Sequence, residues 1–146
     1  MLGRVGMDPG GRVAMGLVAY VYEVARGLGV CPDSTGNAVA VEFELLTSAF
    51  IALPFRAPNF PTYDLALVWD EEGGWAVAIE TDPSYPPIAI SYQGGDVLHR
   101  PSVVATFVDD LLAGRQPGQP NRPLFRRADD NDDLRTRLAT YRRFPY

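Results

Sequence analysis

The stretch Tyr63–Glu80, YDLALVWDEEGGWAVAIE, decides the fold. Tyr63, Leu65, Leu67 and Trp69 alternate with Asp64, Ala66, Val68 and Asp70. After an acidic turn ending in glycine, Trp75, Val77 and Ile79 alternate with Ala76, Ala78 and Glu80. A period of two marks half-buried strands, so the stretch predicts a β-hairpin.

Strands continue on both sides. Upstream, Val39, Val41, Phe43 and Leu45 alternate with Ala40, Glu42 and Glu44, and after Thr47-Ser48 the residues Ala49, Ile51 and Leu53 alternate with Phe50 and Ala52. Downstream, Ile88, Ile90 and Tyr92 form one face of a strand that starts after Pro86 and Pro87. Those prolines cannot donate ladder hydrogen bonds, which suits an edge strand.

Three helices flank this array. Leu17, Val21, Val24 and Leu28 repeat at helical spacing over 13–28, with Gly27 and Gly29 as the stop. A second helix spans Ser102–Ala113, opened by Pro101 and closed by Gly114. A third is predicted over Asp130–Arg143, with aspartates at its positive end and Arg142 and Arg143 at its negative end.

The order is α-β-β-β-β-β-α-α. No helical crossover separates consecutive strands, so the prediction is an α+β fold: a five-stranded, mainly antiparallel meander with helices packed on one face. The expected organisation is a flexible arm at 1–12, a core domain at 13–114, a Pro/Arg-rich linker at 115–128, and an amphipathic helix at 129–146 packed on the core or on a partner.

Length and composition bound the function. At 146 residues, with 47% hydrophobic and 21% charged residues, one core is sufficient without a staple. Cys31 is the only cysteine, which excludes an internal disulfide and weakly favours a reducing compartment. No signal-peptide run opens the sequence and no apolar window approaches a membrane span, so the expected location is the cytoplasm. All 13 basic residues are arginine, a usage we read as base composition. The net charge of −5 is uneven: residues 1–121 hold 6 Arg against 14 acidic residues, and 122–146 hold 7 Arg against 4. The acidic body argues against nucleic acid as a partner.

The segments Leu67-Val68-Trp69-Asp70-Glu71-Glu72, Gly74–Glu80, Gly95-Asp96-Val97-Leu98 and Phe107–Gly114 resemble an actinobacterial family, domain-of-unknown-function family 6292. The resemblance covers roughly residues 17–114, and the Trp-Asp…Gly-Trp block is its most specific part. It implies an actinobacterial source, and brings with it no activity, cofactor or catalytic residue.

Chemistry-bearing candidates remain few. The turn Asp70-Glu71-Glu72-Gly73-Gly74 can be a hard-cation loop or a solvated hairpin tip, and lacks the spaced ligands of the former. Strand alternation places Glu42, Glu44, Asp64, Asp70 and Glu80 on the face opposite the core, interleaved with Ala52, Ala66 and Ala78. That face reads as a solvated sheet face, a binding surface or a carboxylate site. His99, the single histidine, and Cys31, near a helix C-terminus, read as residues without catalytic partners. No phosphate cradle or zinc spacing is present, and no metal or cofactor is expected. Trp69 and Trp75 read as core. Arg122, Arg126, Arg127, Arg135, Arg137, Arg142 and Arg143 form a basic tail that can dock on its own acidic body, on a second copy or on another partner.

The sequence therefore favours a non-catalytic binding or regulatory domain. Its surface would comprise the acidic face and Arg126, Arg127, Arg135, Arg142 and Arg143, and its partner would be a protein or a second copy. The alternative is a small-molecule-binding protein or small enzyme of specialised metabolism, with a cavity between sheet and helices and Asp64, Asp70 and Glu80 as the carboxylates to test.

Overall fold

The computed structural model describes residues 11–30, 39–43, 46–128, 130 and 132–141. Glu44, Cys31, Arg142, Arg143 and the first ten residues lie outside the described residues.

Five strands, β1 (Val39–Glu42), β2 (Ser48–Leu53), β3 (Asp64–Asp70), β4 (Gly74–Glu80) and β5 (Ile88–Tyr92), form one sheet in sequence order. Every neighbouring pair is antiparallel. The helices are α1 (Arg12–Gly27), α2 (Pro101–Leu112) and α3 (Leu134–Tyr141). The α+β meander predicted from alternation is the observed fold.

Local chemistry explains the boundaries. Helices α1 and α2 both end on a left-handed glycine, Gly29 at φ 77° and Gly114 at φ 87°. At each, two backbone N–H groups close back on the last carbonyls: Gly29 to Arg26 and Val30 to Ala25, then Gly114 to Leu111 and Arg115 to Asp110. This is the Schellman arrangement, and only glycine adopts that φ without a Cβ penalty. Pro101 opens α2, where its missing N–H costs nothing.

Helix α3 starts four residues later than the periodicity suggests. The aspartates before it hold other groups. The Asp130 carboxylate accepts the Arg127 N–H at 2.9 Å, and that of Asp132 accepts Arg126 Nε at 2.7 Å. Short acidic side chains that bond nearby backbone compete with helix, which moves the start to Leu134.

The core lies between one sheet face and the helices. Ile51, Leu65, Leu67, Trp69, Trp75 and Val77 meet Leu17, Tyr20, Val21 and Val24 of α1, Val104, Phe107 and Val108 of α2, and Leu134 and Leu138 of α3. Helix α3 sits so close to α1 that a Cβ on Gly16 would fall 2.0 Å from the Leu138 carbonyl oxygen.

Between α2 and α3 the chain forms a strap around the sheet edge. Tyr92 and Gln119 exchange two backbone hydrogen bonds of 2.8 Å, and the Phe125 N–H donates to the Glu72 carbonyl at 2.9 Å. The expected linker is therefore pinned to the edge of β5 and to the β3–β4 turn. Its prolines keep it from becoming a sixth strand, because they supply no ladder donors.

Candidate functional site

Register decides where the carboxylates go. On the face away from the helices, Ala52, Ala66, Ala78 and Ala89 form one row across four strands, and Ala40, Phe50, Val68, Ala76 and Tyr92 form the next. Ala66, Ala76 and Ala78 are buried. Pro87 borders the same shallow depression as Ala40, Phe50 and Val68, which sets the β4–β5 connection against this face. The expected surface of carboxylates among exposed alanines does not form. Its middle is apolar, with the central alanines buried and Phe50, Val68 and Tyr92 half-buried, and its acids separate to the two ends of the strands. Asp64 and Asp70 stand at opposite ends of β3, roughly 20 Å apart at strand rise, so they cannot act on one reacting group.

At the first end, the acidic turn is held by two arginines of the same chain. Glu71 is 2% exposed and Arg126 is 5% exposed. Arg126 Nη1 donates to the Glu71 carboxylate and to its backbone carbonyl, both at 3.1 Å, and Nη2 donates to the Asp130 carbonyl. The other Glu71 oxygen accepts the Thr47 N–H at 2.7 Å. Burial pushes the guanidinium pKa down, but its hydrogen bonds to Asp132 and Glu71 outweigh this and raise it, so Arg126 stays charged. Arg122 Nη2 reaches Asp70 at 2.8 Å and Glu72 at 3.8 Å. The Asp70 carboxylate also accepts the Glu72 and Gly73 N–H groups, and Glu72 accepts the Ala128 N–H at 2.8 Å. The solvated hairpin tip expected here is instead the anchor of the C-terminal strap. Sequence reading missed it because Arg126 lies 55 residues away.

This corrects the assignment of Arg126 to a partner surface: it is buried in an ion pair. Arg127 is exposed, and Arg135 is half-buried with partners of its own. Glu42 is exposed on β1 opposite Ser48, in the row that leads to Asp70.

A second anchor lies before α2, where three consecutive carbonyls are each held by a different element. Trp69 Nε1 donates to Val97 at 2.7 Å, Arg137 Nη2 to Leu98 at 2.8 Å, and the Tyr20 hydroxyl to His99. Trp75 Nε1 in turn donates to the Tyr20 oxygen at 2.9 Å. Burial pushes the Tyr20 phenol pKa up, which keeps it the donor this chain needs. Arg137 also forks onto both Asp96 oxygens at 2.9 and 2.7 Å, and these bonds hold the Asp96 carboxyl below its ordinary range. His99 Nε2 lies 2.6 Å from the Gly94 carbonyl, so Nε2 carries the ring proton. The histidine, like the tryptophans, holds structure together.

At the opposite end of the sheet the acids stay in solvent. Leu53, Leu65, Ile79 and Ile88 share one row, so the residues beyond it converge from three segments. Asp64 and Glu80 are direct cross-strand partners and both are exposed. Like charges placed opposite each other destabilise a sheet. Arg56 offsets one of them through a 3.0 Å pair to Asp64, with both side chains more than half exposed. The connections at this end expose Tyr85 (70%), Phe55 and Tyr63 (38% each), and Ile88 at the start of β5 is 53% exposed. The Asp82 carboxylate accepts the Ser84 N–H at 2.8 Å and its carbonyl accepts the Tyr85 N–H, a tight turn that presents the tyrosine ring. Sequence reading found Asp64 and Glu80 and put Tyr63 in the strand alternation, but β3 starts at Asp64 and leaves Tyr63 exposed; Phe55 and Tyr85 lie in connections, which carry no periodicity.

Among the described residues, no group of three or more His, Cys, Asp or Glu side chains is placed to hold a metal ion, and no helix is long and apolar enough to cross a membrane. No curated protein and no solved structure shows significant similarity to the chain. A family model does match, over residues 20–110, from Tyr20 in α1 to Asp110 near the end of α2. The matched region contains the Tyr20–Trp75 pair and both ends of the sheet, and it stops short of the strap. Covering well over half of the chain, this match makes the protein a member of the family of unknown function DUF6292.

Proposed function

We propose that this protein is a non-catalytic binding domain that meets a protein partner at the sheet end formed by Asp64, Glu80, Asp82, Phe55, Tyr63 and Tyr85. The observation that carries this reading is the contrast between the two acidic ends. The acids of the turn are tied to Arg122 and Arg126 and Glu71 is buried, whereas at the opposite end Asp64, paired with the solvent-exposed Arg56, stays in solvent like Glu80, at an end whose connections carry the exposed rings of Phe55, Tyr63 and Tyr85. Carboxylates beside tyrosine and phenylalanine rings suit a partner segment with arginine or lysine next to an apolar side chain, through charge-assisted hydrogen bonds and cation–π contact. Tyrosine is also a residue type enriched at the energetic centres of interfaces.

Peptide display against the full chain tests the reading, with binding of the enriched peptides then measured by fluorescence anisotropy. Enriched peptides should pair a basic with an apolar residue. They should lose at least about tenfold in affinity on a D64N/E80Q/Y85A variant, and weaken as salt rises. Enrichment of acidic peptides, or equal binding by the variant, overturns the reading.

A further inference from the structure

A cleft of about 460 Å³ lies beside this surface, and its walls come from four places: the β2–β3 connection, β5, the end of α2, and the strap that follows it. Phe60, Ile90, Leu111 and Pro117 make it largely apolar. Arg115 is the single charged side chain in its lining. The volume falls in the range of small-molecule sites, which pair apolar walls with a few placed polar groups.

The strap wall is held in place before any ligand arrives. The Ser91 hydroxyl donates to the Pro117 carbonyl at 2.5 Å, and Gln119 exchanges two backbone bonds with Tyr92. Between them Gly118 takes φ +81°, and a Cβ there would fall 2.3 Å from the Tyr92 oxygen and 2.6 Å from Ser91 Oγ. Only glycine lets the strap approach so closely. A wall with fixed backbone and proline faces loses little entropy on binding, so affinity is not diluted by ordering.

The guanidinium is also oriented. Arg115 Nε and Nη2 both lie 3.1 Å from one oxygen of Asp110, which leaves the Nη1 side of the fork open to another anion. An arginine fork matches a carboxylate in plane, and the proline and phenylalanine faces favour a flat ring system.

We infer that this cleft binds a small aromatic carboxylate, its ring between the Phe60 and Pro117 walls and its carboxylate on Arg115. This is a separate site from the proposed partner surface, and neither reading depends on the other.

The test is an amide chemical-shift titration of the full chain with 2-naphthoate, and in parallel with 2-naphthamide, its uncharged counterpart. Saturable shifts centred on Phe60, Ile90 and Gly118 are expected for naphthoate below about 10 mM. The amide should bind at least about tenfold more weakly, and Arg115→Gln should abolish the difference between the two probes. No saturation in that range, shifts centred elsewhere, or equal binding of the two probes overturns the inference. The probe comparison needs no variant, so it decides the matter whatever Arg115→Gln does to the fold.

Discussion

The two ends of the sheet carry the same kind of residue and use it in opposite ways. At the β3–β4 turn, three consecutive acids have become structural: Glu71 is buried against Arg126, and Asp70 and Glu72 hold Arg122 and the strap backbone. At the other end, Asp64 and Glu80 face each other across two strands and remain in solvent. Burial and partner decide the outcome, and both come from segments distant in sequence. An acidic cluster is thus no guide to a binding surface until the positions of the basic residues are known.

This comparison can be broken experimentally. The largest effect should come from the buried pair. Arg126→Ala removes the buried guanidinium from the Glu71 carboxylate and should cost about 3–5 kcal/mol, read as a lower urea midpoint. Replacing both with apolar residues of similar volume should recover most of that loss. If Arg126→Ala proves as mild as a surface change, the turn end is no anchor.

Next comes the seat of α3. Gly16→Val places side-chain atoms against the Leu138 backbone and should cost about 3 kcal/mol through overpacking, visible as a lowered thermal midpoint. A smaller effect is expected for Asp96→Asn, about 1 kcal/mol, because the Asp96–Arg137 pair is about a third exposed and screened. Its pH dependence has a definite sign. The folded carboxyl pKa is held below the ordinary 3.8, so its contribution is fully present above that value. It is lost as pH falls through the lower folded value. The stability gap between the natural protein and Asp96→Asn should therefore close on acidification, and a gap that widened would refute the assignment.

The smallest change in stability should be at the solvent end. Glu80→Gln relieves a like-charge cross-strand pair and should leave stability unchanged or raise it by about 0.5 kcal/mol, while Asp64→Asn, which also gives up the exposed Arg56 pair, should leave it within about 0.5 kcal/mol. A loss of more than about 1 kcal/mol would mean that these acids are structural after all, and the contrast between the ends would fall.

The sequence by itself determined the element order, the antiparallel meander, and the inward face of β2, β3 and β4; in β5, expected to show Ile88, Ile90 and Tyr92 on one face, the bulge at Val77 and Ala78 puts Tyr92 on the face opposite to Ile88. Alternation in β2, β3 and β4 is a local pattern of period two, and hydrophobic burial enforces it along the whole strand. The glycine stops of α1 and α2 were legible for the same reason: φ is a property of one residue. Helix α3 was legible only in part, because its start depends on what Asp130 and Asp132 bond. Only the tertiary structure decided the fate of the charges. Whether Asp70, Glu71 and Asp96 face water or an arginine depends on contacts across 41 to 55 residues, and no local pattern encodes them. The same holds for the aromatic rings around Asp64 and Glu80, which strand register gathers from separate connections. Hydrophobic period is read along the chain, while the partner of a charge is set by what the fold brings beside it.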